Sequence, residues 1–258
     1  MKKQICMMLC GVIAASVFGG EFKWSEWAKL SDDNQKAAYV KSNTEYNKEQ
    51  TFSYFLAKLT VSAKVDKKVT SANMINSIDA LVTESKLTGD QAVLLKYYLL
   101  CHGYWWCGLS KDDAYTSAIT AIVNNSEIVN MLKQSKNGKI CLTHFYSNLK
   151  KYNDMVDILI SLDNPASAFV TAVTYNLGQS YYTKTINALI ENATSVNNPN
   201  ILKNVIRCIN KLNNPAYDEQ IKPLLIVLNR QCYPKIQISE DWKKAVVQLQ
   251  LIMKTYGL

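Results

Sequence analysis

The stretch Tyr175-Asn176-Leu177-Gly178-Gln179-Ser180-Tyr181-Tyr182 decides the reading of this chain. A small residue follows a leucine, and a tyrosine pair follows both. The phrase lies within a longer region, Leu94 to Pro199, where helical segments alternate and small residues stand at the expected crossings. Helix pairs that stack and bury each other's faces are written in this way.

Outward from that stretch, Asn164-Pro165, Asn198-Pro199 and Asn214-Pro215 recur as one helix-starting device. Asparagine accepts a hydrogen bond from the first turn, and proline follows where its missing N–H costs nothing. Ser31-Asp32-Asp33 starts a helix running to about Lys41, and Phe52, Phe55, Leu56, Leu59 and Ala63 mark the next. Ser71 is expected to cap a third, and Thr88 with Gln91 to form a capping box. The helix after Ser110-Lys111-Asp112-Asp113 shows an alanine stripe, Ala114, Ala118 and Ala121 with Ile122, which calls for a helix backbone to approach closely. Asn137-Gly138 reads as a chain break, Pro223 as a kink or split, and Tyr233 to Ile238 as an extended connection. Ser239 caps a terminal helix over about 239–256, with Lys243, Lys244, Gln248 and Lys254 on its outer face. No convincing strand pattern occurs, so the expected class is all-α, with antiparallel hairpins stacked by short connections.

The first residues, Met1-Lys2-Lys3, precede an apolar run from Ile5 to Phe18 and small residues up to Gly20. That order is the signature of a cleaved signal peptide, and the run is shorter than the roughly 20 residues of a spanning helix. The expected organisation is a signal peptide over 1–20 and one helical-repeat domain over 21–258, exported to a periplasmic or extracellular space, with no integral membrane segment after processing. The net charge of +8 falls to +6 when Lys2 and Lys3 leave. The densest basic patch is Lys64, Lys67 and Lys68, which makes no basic stripe of the kind nucleic acid requires. Export leaves five cysteines, Cys101, Cys107, Cys141, Cys208 and Cys232, in an oxidising environment. Stacked neighbouring helices would make Cys101–Cys141 and Cys208–Cys232 plausible bridges.

At these positions the chain resembles the tetratricopeptide (TPR) family of helix-turn-helix repeats. Tyr98, Cys101, His102 and Trp105 stand at first-helix places of one unit, with Ala114, Ala118 and Ala121 at its second-helix places. Leu142, Thr143 and Tyr146, then Met155, Leu159 and Leu162, make a second unit, and Leu177, Gly178 and Tyr181 begin a third that ends at Pro199. The interval from Pro165 to Pro199 equals the family's repeat length. The first unit departs from the family pattern, with Cys101 and His102 where leucine and glycine are usual. The resemblance implies a TPR-like α-solenoid with a concave groove for a protein or peptide partner. It puts Lys96, Trp106, His144, Asn148, Tyr175, Gln179 and Tyr182 on that groove, Leu177 and Tyr181 in the core, and Gly178 at a close helix approach.

Chemistry is sparsely written. Cys101, His102, Cys107, Cys141 and His144 are the only residues with metal-ligand types in proximity, and their spacing fits no zinc motif. Ser147-Asn148-Leu149-Lys150 has the form of a nucleophile motif but lacks its companion motifs. No phosphate loop or nucleophile elbow occurs, so no catalytic residue and no cofactor is assigned. A helical enzyme without a recognisable motif, and a structural subunit of an envelope assembly that uses Trp24, Trp27 or the final helix as contacts, stand as alternatives.

Overall fold

The computed structural model describes residues 20–65, 70–107, 112–212 and 214–258, without the side chains of 64, 65, 105 and 106. The expected signal peptide, the Lys64, Lys67 and Lys68 patch and the Trp106 side chain lie outside the described residues. The chain is all-helical: among the described residues there are fourteen α-helices, three short 3-10 turns and no strand. Glu21 and Glu45 form an isolated bridge. No helix among the described residues is long and apolar enough to cross a membrane.

The contacts divide the chain into two compact units, one up to Leu132 and one from Lys133 to Leu258. In the first, α1 (Trp24–Trp27), α2 (Asp33–Ser42), α3 (Thr51–Val65), α4 (Ser71–Glu84), α5 (Gly89–Trp106) and α6 (Asp113–Asn124) are followed by α7 (Ser126–Lys133). Helix α5 packs on α3 and α4, and α6 packs on α4. Phe22 and Trp27, at the start of this unit, are fully buried in its core.

The second unit holds α8 (Lys136–Asn148), α9 (Tyr152–Ser161), α10 (Pro165–Thr174), α11 (Gln179–Glu191), α12 (Pro199–Lys211), α13 (Asp218–Cys232) and α14 (Glu240–Thr255). Each of α8, α9 and α10 packs on its successor, and each of α9 to α12 packs on the next helix but one. Helices α8, α9 and α10 end in the same way. Lys150, Asp163 and Asn176 take positive φ just past them, at 13-residue intervals. The following N–H then reaches back five residues, as from Leu177 to the Ala172 carbonyl at 3.0 Å. This is the Schellman turn, which satisfies carbonyls that a helix end leaves open.

The deciding stretch turns out to be one of these turns. Tyr175 is the C-cap of α10, and Gly178, at φ 90° and ψ 172°, is the N-cap of α11. Leu177 and Gly178 therefore do not sit on a first helix. A Cβ on Gly178 would meet nothing within 4 Å, so glycine is required for its backbone conformation, not for a close helix approach.

The asparagine–proline starts are as read, with Asn164, Asn198 and Asn214 each accepting from the next turn. Ser239 accepts from Trp242 N at 3.3 Å. Other local readings are corrected. Thr70, not Ser71, caps α4. Thr88 occupies the N-cap of α5 but makes no side-chain cap, because Gly89 at φ 55° turns the backbone away from helical geometry. Asn137-Gly138 does not break the chain: Ser135 caps α8, and the Gly138 N–H donates to its hydroxyl at 3.0 Å. Pro223 neither splits nor ends α13, where it is exposed so that water can reach the carbonyl it leaves open. Tyr233–Gln237 is a 3-10 turn and not extended.

The stripe read for α6 faces inward only in part: Ile122 is buried together with Tyr115 and Ile119, Ala114 and Ala118 are half-buried, and Ala121 is exposed. Burying the larger side chains removes more apolar area from water, and that rotates the helix. Close approach through alanine occurs instead in α10, where Ala166, Ala168 and Ala172 are fully buried in the core of the second unit. Cys208 and Cys232 belong to that core as buried free thiols, and Cys141 is likewise unbridged, so neither plausible disulfide forms.

Candidate functional site

Beside α6 lies a groove of about 310 Å³. Helix α4 contributes Ile75 and Ile78, one turn apart, and α5 contributes Lys96, Tyr97 and Leu100. Ala118, Ala121 and Ile122 come from α6, with Asn125 and Ile128 beyond it. The lining is thus largely aliphatic with polar groups at few points, as in pockets that take small or apolar ligands.

Lys96 carries the charge at this groove, its Nζ 2.7 Å from Asp79 Oδ1 with both side chains close to half exposed. An exposed pair of this kind contributes little to stability and is cheap to rearrange around a ligand. Burial pushes the Tyr97 hydroxyl above its ordinary pKa, with Lys96 pulling it back and Asp79 adding to the rise. It therefore stays protonated as a hydrogen-bond group.

The other expected groove residues fall in different settings. His144 is buried at 7% exposure, and Asn148 Nδ2 lies 2.9 Å from its Nε2 and 3.1 Å from its carbonyl oxygen. Tyr175 is half-exposed and stacks on Tyr152, with ring centroids 3.6 Å apart and planes 10° off parallel. Gln179 is exposed at the start of α11. Tyr182 is buried at 5% exposure, with its ring edge-on to Tyr217, and lines a cleft of about 330 Å³ beside Lys211. Lys211 Nζ is occupied there by the Val173 and Thr174 carbonyls, at 3.2 and 3.4 Å.

A third recess, about 350 Å³, is charged: Lys133, Lys139, Tyr146, Asp154 and Asp157 line it. Asp157 pairs with Lys184 at 2.8 Å and Lys139 donates to the Ser161 carbonyl at 2.8 Å. Burial, and then Asp154, raise the pKa of Tyr146.

Of the cluster with metal-ligand types, Cys101 is fully buried, His102 packs against the Tyr98 ring at 4.2 Å, and the Cys107 sulfur lies 3.6 Å from the Thr60 hydroxyl. Among the described residues, no three His, Cys, Asp or Glu side chains gather to hold a metal ion. Comparison with protein-family models, with curated proteins and with solved structures returns no match.

Among the described residues, Lys96 lines this groove with Ile75, Tyr97 and Leu100 and with none of the other residues expected beside it. The signal was present in the alanine spacing of α6, which asks for a helix backbone. In the structure the exposed part of that face is the groove floor.

Proposed function

We propose that the chain is an exported helical-repeat protein that binds a protein partner, taking an apolar helical segment of it into the groove between α4, α5 and α6. One observation carries this reading: Ala121 is exposed and Ala118 half-buried on the floor of an aliphatic groove. Small side chains at helical spacing let a second helix approach closely, and an amphipathic helix laid in a groove is a recurrent mode of peptide recognition. Lys96 and Asp79 at the rim suit polar groups on the flank of such a segment. In the second unit, next-but-one packing and the recurring 13-residue helix and turn support a solenoid-type array, with a shorter period than the TPR unit it resembles. The apolar run before Glu21 supports export.

The reading is tested by panning a displayed library of amphipathic helical peptides against the chain from Glu21. Enriched peptides should carry apolar residues at helical spacing and lose at least about tenfold in affinity for the Ala121→Trp variant, which fills the floor. Enrichment of no peptide, or unchanged binding by that variant, overturns the proposal.

A further inference from the structure

The charge of the chain is concentrated. Residues 133–258 hold fifteen Lys and Arg against eight Asp and Glu, a net of +7, while residues 1–132 hold fourteen against thirteen. Within the basic unit, α13 and α14 pack together and each turns a stripe outward. On α13 it reads Lys222, Ile226 and Arg230, with Tyr233 just past its end, and on α14 Lys244, Val247, Leu251 and Lys254, with Leu258 beyond its end. Five of the seven large apolar side chains left exposed among the described residues stand on these two stripes.

The α14 stripe abuts α13, because Asn229 of α13 and Val247, Leu251, Lys254 and Leu258 line a shared cleft of about 430 Å³. Neither stripe carries an acidic residue. Glu219 lies one turn before Lys222, and Glu240 is engaged by Lys243 at 3.9 Å. Lys222, Arg230, Lys244 and Lys254 have no ion-pair partner among the described residues. In the cleft, the buried Asn229 Oδ1 accepts no hydrogen bond.

We propose that this face docks onto an anionic lipid bilayer. Cations flanking an apolar centre on helices lying side by side are the composition of an interfacial surface, where apolar side chains enter the acyl boundary and Lys and Arg meet headgroup phosphates. A second copy is disfavoured, since it would bring another net charge of +7 against the first. Ile226, Tyr233, Val247, Leu251 and Leu258 are 42–57% exposed, and the unpaired cations among them favour an anionic surface over a neutral apolar helix.

The test is co-sedimentation of the chain from Glu21, which leaves out the apolar leader, with vesicles of phosphatidylcholine alone or mixed with phosphatidylglycerol. Binding is expected to the mixed vesicles only and to weaken with salt. Val247→Glu with Leu251→Glu should lower partitioning by roughly tenfold or more. Lys244→Gln with Lys254→Gln should lower it about fivefold per charge removed. All four positions are exposed, and circular dichroism checks that the variants fold; should the glutamate pair unfold, the glutamine pair decides. The proposal is overturned by no binding to the mixed vesicles, by equal binding to both kinds, or by folded variants that bind like the parent. It is also overturned if the face proves to be a dimer contact, with a dimeric parent, monomeric variants and no vesicle binding.

Discussion

The Tyr182 hydroxyl donates to Asn176 Oδ1 at 2.6 Å, tying the first turn of α11 to the left-handed residue that ends α10. Asn176 is one of the few residue types that take positive φ at small cost, and its side chain is short enough to meet the tyrosine. Between the two, Gly178 carries the chain through a conformation open almost only to glycine. The turn is thus held at three points, and its stability is separable from helix packing.

Gly178→Ala should destabilise the fold by about 1–3 kcal/mol although the new methyl group meets no neighbour. Tyr182→Phe should cost about 1 kcal/mol through loss of one hydrogen bond. Urea unfolding measures both. A neutral Gly178→Ala would show that the backbone there relaxes freely and that the turn does not constrain the α10–α11 pair.

Two alanines of unlike setting separate groove from core. Ala121→Leu, on the exposed groove floor, should change stability by less than about 0.5 kcal/mol. Ala172→Leu, fully buried in α10, should cost about 1–3 kcal/mol by overpacking. Equal penalties in thermal or urea unfolding would mean that α6 is covered in solution and that its groove is not open.

The readings that held depend on one turn of chain. Asn164, Asn198 and Ser239 cap helices because a short side chain reaches an N–H two or three residues ahead, whatever surrounds it. Readings failed where a neighbouring residue or a distant helix decided. Gly89 turned the backbone out from under the Thr88 capping box, and Ser135 drew Asn137-Gly138 into a first turn. The orientation of α6 was set by competition between Ala118 and the bulkier Tyr115 and Ile119, which periodicity alone does not rank. Lys96 and the alanines were therefore visible in the sequence, but the groove they share was not, since it needs α4 and α5 beside them. The basic character of the second unit was hidden in the same way, because charge counted over the whole chain averages it with a nearly neutral partner.

Burial holds the His102 imidazole below its ordinary pKa, so the unfolded chain takes up a proton there before the folded chain does. Its contribution is present above about pH 6.5, the ordinary value for histidine, and is lost as pH falls through the depressed folded value. Urea midpoints should therefore fall below about pH 6.5 in the parent and fall less in His102→Phe, provided that variant folds. Parallel pH dependences would show that His102 is solvated in the native state.

Cys232 sets the opposite limit. Burial pushes its thiol from the ordinary 9.0 up to about 11, only partly offset by Lys235. The unfolded thiol ionises first, so its share of stability is full below pH 9 and is lost as pH rises from there through about 11. Burial likewise raises the Cys208 thiol, so both cysteines should resist thiol reagents at pH 8 until denaturant is added. Unfolding measured at pH 8, 9 and 10 should show a steeper alkaline loss for the parent than for Cys232→Ala. The difference isolates the cysteine from Tyr146 and Tyr256, whose raised pKa values add a later alkaline loss common to both proteins. Rapid labelling of Cys232 in the native protein at pH 8 would contradict its burial and remove the basis for the alkaline limit.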